Sequence, residues 1–217
     1  MKILLTGDSI TAAHRAPGDP RDLGSGYVAR LARALPEHDF RNTGVNGHKV
    51  PDLEARWERD VLAHEPDLVS IKIGINDTWH AFYGSPARRL VNRIRHTGGT
   101  THSAFDAGYR ELIARTLAAG IDRIVLVEPF LIPVDDSQLR MLGDLEEKMR
   151  LVAAIAEDHD LPLVRLHDAF TRAATERDPA ELVLDGVHPE AAGDELIAEL
   201  WLEVVAPLLE EWGAADG

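Results

Sequence analysis

The 217-residue chain has no cysteine, which excludes disulfides, thiolate metal sites and a cysteine nucleophile. It is also short of positive charge. Its 23 Lys+Arg stand against 37 Asp+Glu, a formal net charge of −14 at pH 7. Phosphate affinity comes largely from Lys and Arg and the counterions they release, so this balance argues against nucleic acid and against docking on anionic membranes. No apolar run approaches the roughly 20 residues of a membrane span. The opening Met1-Lys2-Ile3-Leu4-Leu5-Thr6 turns polar after three apolar residues, too few for a signal-peptide core, and a cytoplasmic location is the expectation. What is present is a globular composition, 45% hydrophobic and 28% charged, with length enough for one ordinary domain and its core.

Strand and helix patterns alternate along the chain. Strands are predicted at Lys2–Thr6, Phe40–Val45, Asp67–Ile73, Arg123–Glu128 and Pro162–Leu166. Ile124 to Val127 is a continuous apolar run of the kind buried on both faces. Helices are predicted at Ser25–Leu35, Pro51–Ala63, Phe105–Leu117 (with Gly120 as cap), Leu139–Glu157 and Glu190–Leu209. The stretch from Trp79 to Ser103 is the least periodic. Such alternation predicts a parallel sheet covered on both faces. With no internal repeat or linker, one three-layer α/β/α domain over residues 1–217 with a five-stranded parallel sheet is expected.

The polar signatures fall just after strands. Gly7-Asp8-Ser9, Asn42 to Gly47, and Gly74-Ile75-Asn76-Asp77 each follow one, and open α/β sheets bind ligands outside the carboxyl ends of their strands. Asp185-Gly186-Val187-His188 joins them from the loop before the last helix. The set has the parts of an acyl-transfer site. Ser9 would expose its hydroxyl at a strand-to-helix turn. His188 can take its proton through one ring nitrogen while Asp185, three residues earlier, accepts from the other. The backbone N–H groups of Ser9 and Gly47 and the side-chain amide of Asn76 could bind the developing oxyanion.

These four blocks, in this order, resemble the SGNH hydrolases of the GDSL esterase/lipase superfamily. Ile10 stands where the GDSL motif has Leu, a conservative change. The resemblance implies a flavodoxin-like SGNH fold, Ser9 as nucleophile with Asp185 and His188 completing the triad, Gly47 and Asn76 as oxyanion donors, and no cofactor. Gly7-Asp8-Ser9-Ile10-Thr11, Gly24-Ser25-Gly26-Tyr27-Val28 and Ile73-Gly74-Ile75-Asn76-Asp77-Thr78-Trp79 look most like the carbohydrate acetylesterases, such as intracellular acetylxylan esterases. Lysophospholipase and arylesterase members share the four blocks. The expected partner is a small acyl ester, an acetylated sugar, with Trp79 and Tyr83 as aromatic faces for the pyranose ring.

Other patterns carry less. Gly24 to Ala29 fits G-x-G-x-x-A but does not follow a strand directly, so it reads as a loop entering a helix. Asp8 is expected to brace the turn that presents Ser9. No two of the ten histidines have H-x-x-x-H spacing, and no metal site is expected. His167, beside Asp168, is a rival base, but neighbouring side chains diverge and a structural role is preferred. Arg88, Arg89, Arg93, Arg95 and His96 form a basic patch, read either as a solvated helix face or as a contact between subunits of a homo-oligomer. A catalytically silent carbohydrate-binding protein of this fold would favour loss of a triad residue, and none is lost. A nucleotide binder lacks its Gly-rich loop on the first strand, and a long-chain lipase would want an apolar lid where 84–103 are rich in Arg and Gly.

Overall fold

The computed structural model describes residues 1–82 and 98–215. Five parallel strands, β1 (Lys2–Gly7), β2 (Asp39–Asn42), β3 (Leu68–Lys72), β4 (Ile124–Val127) and β5 (Leu163–Val164), form one sheet in the order β2-β1-β3-β4-β5. Ile3 pairs with Phe40 on one side and Leu68 on the other, and Lys72 lies opposite Gly7 and Val127. Strands β3 and β4 are buried at every position, which is why β4 is an apolar run without alternation; β3 carries the buried polar Ser70 and Lys72 as well. The order reverses between β1 and β3, and a crevice opens at such a switch point beyond the carboxyl ends.

Helices cover both faces. They are α1 (Ser9–Ala12), α2 (Tyr27–Ala34), α3 (Val50–Asp60), α4 (Ile75–Phe82), α5 (His102–Ala118), α6 (Asp136–Leu139), α7 (Leu142–Asp158), α8 (His167–Glu176), α9 (Pro179–Leu182) and α10 (Ala191–Ala215). One core joins Ile3, Leu5 and Val127 to Tyr27 and Leu31 of α2 and Ile197 and Trp201 of α10. The other joins Leu4, Ile71 and Leu126 to Trp57 of α3, Tyr109 of α5 and Val152 of α7. Three layers and five parallel strands are the predicted architecture.

The differences are local. The least periodic stretch begins with a helix, because α4 starts at Ile75, inside the Gly74-to-Asp77 block. The long helix expected at Leu139–Glu157 is two: Asp135 accepts from the N–H groups of Ser137 and Gln138 to start α6, and α7 begins afresh at Leu142. Two further helices, α8 and α9, occupy a stretch left without elements; Pro179 opens the second, where its missing N–H is harmless. Strands β2 and β5 are shorter than predicted since each is an edge with one neighbour. Tyr83 and the basic patch from Arg88 to His96 lie outside the described residues. Among the described residues no helix is long and apolar enough to cross a membrane.

Candidate active site

Ser9 stands where β1 turns into α1. Asp8, fully buried, caps the short helix by accepting the Ile10 N–H at 3.0 Å, the bracing role expected of it. Beside this turn lies a buried cation with no signal in the sequence. Lys72, at the end of β3, is fully buried, with its ammonium 5.2 Å over the Phe130 ring and no hydrogen-bond partner among the described residues. Burial lowers its pKa, and the charge of Asp8 opposes that fall.

The loop after β2 is tied to the Ser9 turn from below. The buried Asn42 amide donates to the carbonyls of Thr11 at 2.7 Å and Leu23 at 2.9 Å, and its oxygen accepts the Gly44 N–H. Arg56 of α3 donates to the carbonyls of Thr43 at 2.7 Å and Gly7 at 3.0 Å, and to His48 Nδ1 at 3.1 Å. One guanidinium thus joins the end of β1 to both ends of the 43–48 loop, using the fixed fork that a lysine lacks. Gly47 lies exposed in that loop at φ +77°, with open space around the Cβ position. Only its backbone conformation asks for glycine.

The third block locks to the second. Asn76 Nδ2 donates to the His48 carbonyl at 3.2 Å, using one of its two N–H bonds. Asp77, fully buried, accepts the Val50 N–H that opens α3, at 3.2 and 3.3 Å. Burial pushes the Asp77 carboxyl up to about 7, against the Thr100 and Val50 hydrogen bonds and the charges of Lys148 and Lys49. Asp77 therefore fixes where α4 meets α3, and with it where Asn76 points relative to the 43–48 loop.

The fourth block reaches over from the other side. Its backbone is held by Gln138 Nε2 donating to the Asp185 carbonyl at 2.7 Å, by the Ile132 N–H on the Gly186 carbonyl, and by a bridge between Val183 and Pro189. Asp185 Oδ1 accepts the N–H groups of Val187 and His188, and Oδ2 meets His188 Nδ1 at 2.6 Å. A carboxylate only accepts, so Nδ1 carries the proton and Nε2 faces Ser9 Oγ, 2.8 Å away. Burial raises the Asp185 carboxyl, but the His188 ring and the two backbone donors outweigh it and hold the pKa below the usual range. Both side chains are about half exposed, 55% for His188 and 52% for Asp185.

A cleft of about 220 Å³ adjoins this pair, lined by Ser9, Ile10, Ala13, His14, Ser25, Asn46, His188, Pro189 and Asp194. The four blocks thus converge, with Ser9, His188 and Asp185 in hydrogen-bonded series and Asn76 bonded to the residue after Gly47. Trp79 lies on α4, half-buried against the core. His167 opens α8, its N–H on Glu128 at 2.9 Å and its Nδ1 buried without a partner among the described residues; the hydroxyl of Ser9 is bonded to His188. No signal in the sequence marks Arg56, one charge among several in a charged helix.

A parallel sheet in this order, with a Ser–His–Asp series at its switch point, has the form of a serine hydrolase. Comparison with known proteins carries this further. Residues 5–196 match the model of the GDSL-like lipase/acylhydrolase family, and the chain belongs to that family; it is a carboxylic ester hydrolase. An acetylxylan esterase of Geobacillus stearothermophilus is 36% identical over 214 residues, covering 94% of this chain and 93% of that protein. The crystal structure of an acetylxylan esterase from the same organism superposes with a TM-score of 0.82 at 34% identity, over 93% of this chain and 92% of that one. Catalytic mutants of that enzyme, with a serine, an aspartate and a histidine each replaced by alanine, have also been solved. An alpha/beta hydrolase enzyme from the metagenome of Lake Arreo, Spain, gives 0.80 at 33% identity over 93% of each chain.

Proposed function

We propose that the chain, as one domain over residues 1–217, removes acetyl groups from xylo-oligosaccharides or related sugars. The observation that carries the chemistry is the series Ser9 Oγ to His188 Nε2 at 2.8 Å and His188 Nδ1 to Asp185 Oδ2 at 2.6 Å. Ser9 Oγ attacks the ester carbonyl as Nε2 takes its proton. The carbonyl oxygen becomes an oxyanion, received by the backbone N–H groups of Ser9 and Gly47 and by the second N–H of Asn76. The bond to the sugar oxygen then breaks, and the imidazolium returns the proton to it, releasing the alcohol and leaving acetyl-Ser9. Water attacks the acetyl carbonyl with Nε2 again as base; acetate leaves and Ser9 regains its proton. Asp185 holds the tautomer throughout and steadies the imidazolium.

Acyl length follows from the walls. Among the described residues Ile10, Ala13 and Pro189 are the apolar members of the cleft lining, and each extra methylene gains roughly 0.8 kcal/mol only where an apolar wall receives it. The acetylxylan esterases among the relatives support the sugar. A series of aryl esters from acetyl to octanoyl, run beside acetylated xylose, tests the reading. Acetyl is expected to be preferred, with kcat/KM falling steeply by butyryl. Activity rising toward octanoyl would move the protein to the lysophospholipase side of its family.

A further inference from the structure

Two segments that the four blocks do not include form the far wall of the cleft. After α1 the chain takes two left-handed residues in succession, Ala13 at φ 40° and His14 at φ 67°. Non-glycine residues held in this region cost energy and recur at ligand clamps. Here they turn the His14 ring toward Ser25. Ser25 donates its own hydroxyl to the Ala13 carbonyl at 3.2 Å, so its oxygen accepts from His14 Nδ1, also at 3.2 Å. Nε2 of the neutral ring is left as an acceptor.

Asp194 comes from α10. Its Oδ1 accepts the Tyr27 N–H at 3.0 Å, and its Oδ2 has no hydrogen-bond partner among the described residues. Gly26 lets the two segments meet. A Cβ there would stand 2.6 Å from Ala13 Cβ and 2.9 Å from Asp194 Oδ1, closer than atoms pack. Burial lifts the Asp194 carboxyl to about 6, with the charge of Glu190 and against the Tyr27 hydrogen bond and the charges of Arg30 and His14, which leaves it mostly ionised at neutral pH. Among the described residues the lining therefore offers a carboxylate oxygen, an imidazole nitrogen and the Asn46 amide, and contains no Lys or Arg. Such a wall accepts from hydroxyl groups and repels an anion.

We infer that His14 and Asp194 are specificity-determining residues that bind the hydroxyl groups of an uncharged sugar as the leaving group departs from Ser9. This rests on the proposed sugar esterase reading and adds the residues that recognise the sugar. The variants are Asp194→Asn, which keeps an acceptor for Tyr27, and His14→Asn, since asparagine tolerates the left-handed backbone. Each is compared with wild type on acetylated methyl xyloside and on nitrophenyl acetate, whose leaving group has no hydroxyl to donate to the wall. The loss in kcat/KM is expected to be about tenfold larger on the xyloside, as for a hydrogen bond to a charged group, and to appear mainly in KM. Xylose inhibition of nitrophenyl acetate hydrolysis should weaken in parallel. Equal losses on both substrates, or none on the xyloside, would overturn the assignment while leaving the esterase reading intact. A wild-type enzyme that hydrolyses nitrophenyl acetate but not the xyloside would overturn both.

Discussion

The two sides of the candidate site are held in opposite ways. The Ser9 side is anchored in buried polar groups: Asp8, Asn42, Arg56 and Asp77 are each at most 5% exposed and bond to backbone of another block or of the turn itself. The His188 side is an exposed loop whose functional side chains are aligned by bonds within four residues, from Asp185 to the N–H groups of Val187 and His188 and to the ring. Side-chain position on the first side is thus inherited from the sheet; on the second the loop's backbone is tied to Gln138 and Ile132, and the side chains are then aligned locally. The proposed nucleophile and oxyanion donors, from three distant segments, need the first arrangement, because no local bond could set their spacing. A base and its orienting carboxylate, three residues apart, can use the second.

This contrast divides the expected effects of substitution. On the exposed side, His188→Ala should lower kcat by about 10⁴-fold, and Asp185→Ala by less, because holding the base is a smaller task than being it. Melting temperatures should stay close to wild type, since both side chains are about half in water. A large loss of stability in His188→Ala, or a dead His167→Ala beside an active His188→Ala, would break the comparison. On the anchored side, Asn76→Ala should cost on the order of 10²–10³ in kcat with KM little changed, as for a donor engaged mainly in the transition state. If KM rises and kcat holds, Asn76 binds the ground state instead.

The smallest effect concerns stability alone. Asp77 has its carboxyl raised to about 7 in the fold from 3.8 in the open chain. Between these values the folded state binds the extra proton, so the stabilising share of Asp77 is full below about pH 4 and is lost as pH rises through 7. Asp77→Asn resembles the protonated form and keeps an acceptor for the Val50 N–H. Thermal melts should find the variant more stable than wild type by several degrees at pH 8, with the gap narrowing through pH 5 and closing near pH 4. A gap that widens toward acid would show that Asp77 works as a charge.

The sequence made the strand-end logic legible. Apolar runs such as Ile124 to Val127 cannot sit in water, so they had to be central strands, and whatever followed them had to meet at one edge. On that logic Ser9, Asn76 and the 42–47 loop come to one edge. The anchors are less legible for a physical reason: burial of a charged side chain contradicts its type, so nothing marks Arg56 in a charged helix or Lys72 inside the predicted strand Asp67–Ile73. Helix α4 is not legible because its first turn spends Asn76 and Asp77 on the site, which breaks the apolar periodicity after Ile75. The cleft wall of His14 and Asp194 has no sequence signal at all, since it arises where residues 180 positions apart fold around Gly26.

The central claim is that Ser9 is the atom donor in the bond to the acyl group. The direct measurement is labelling with a serine-directed phosphonate, followed by mass spectrometry of the digested protein, on wild type and on Ser9→Ala. One adduct per chain, on the peptide that contains Ser9, is predicted for wild type; Ser9→Ala should take no label and lose about 10⁴-fold or more in kcat while keeping its melting temperature. An adduct on another residue, or near-wild-type turnover in Ser9→Ala, would contradict the account.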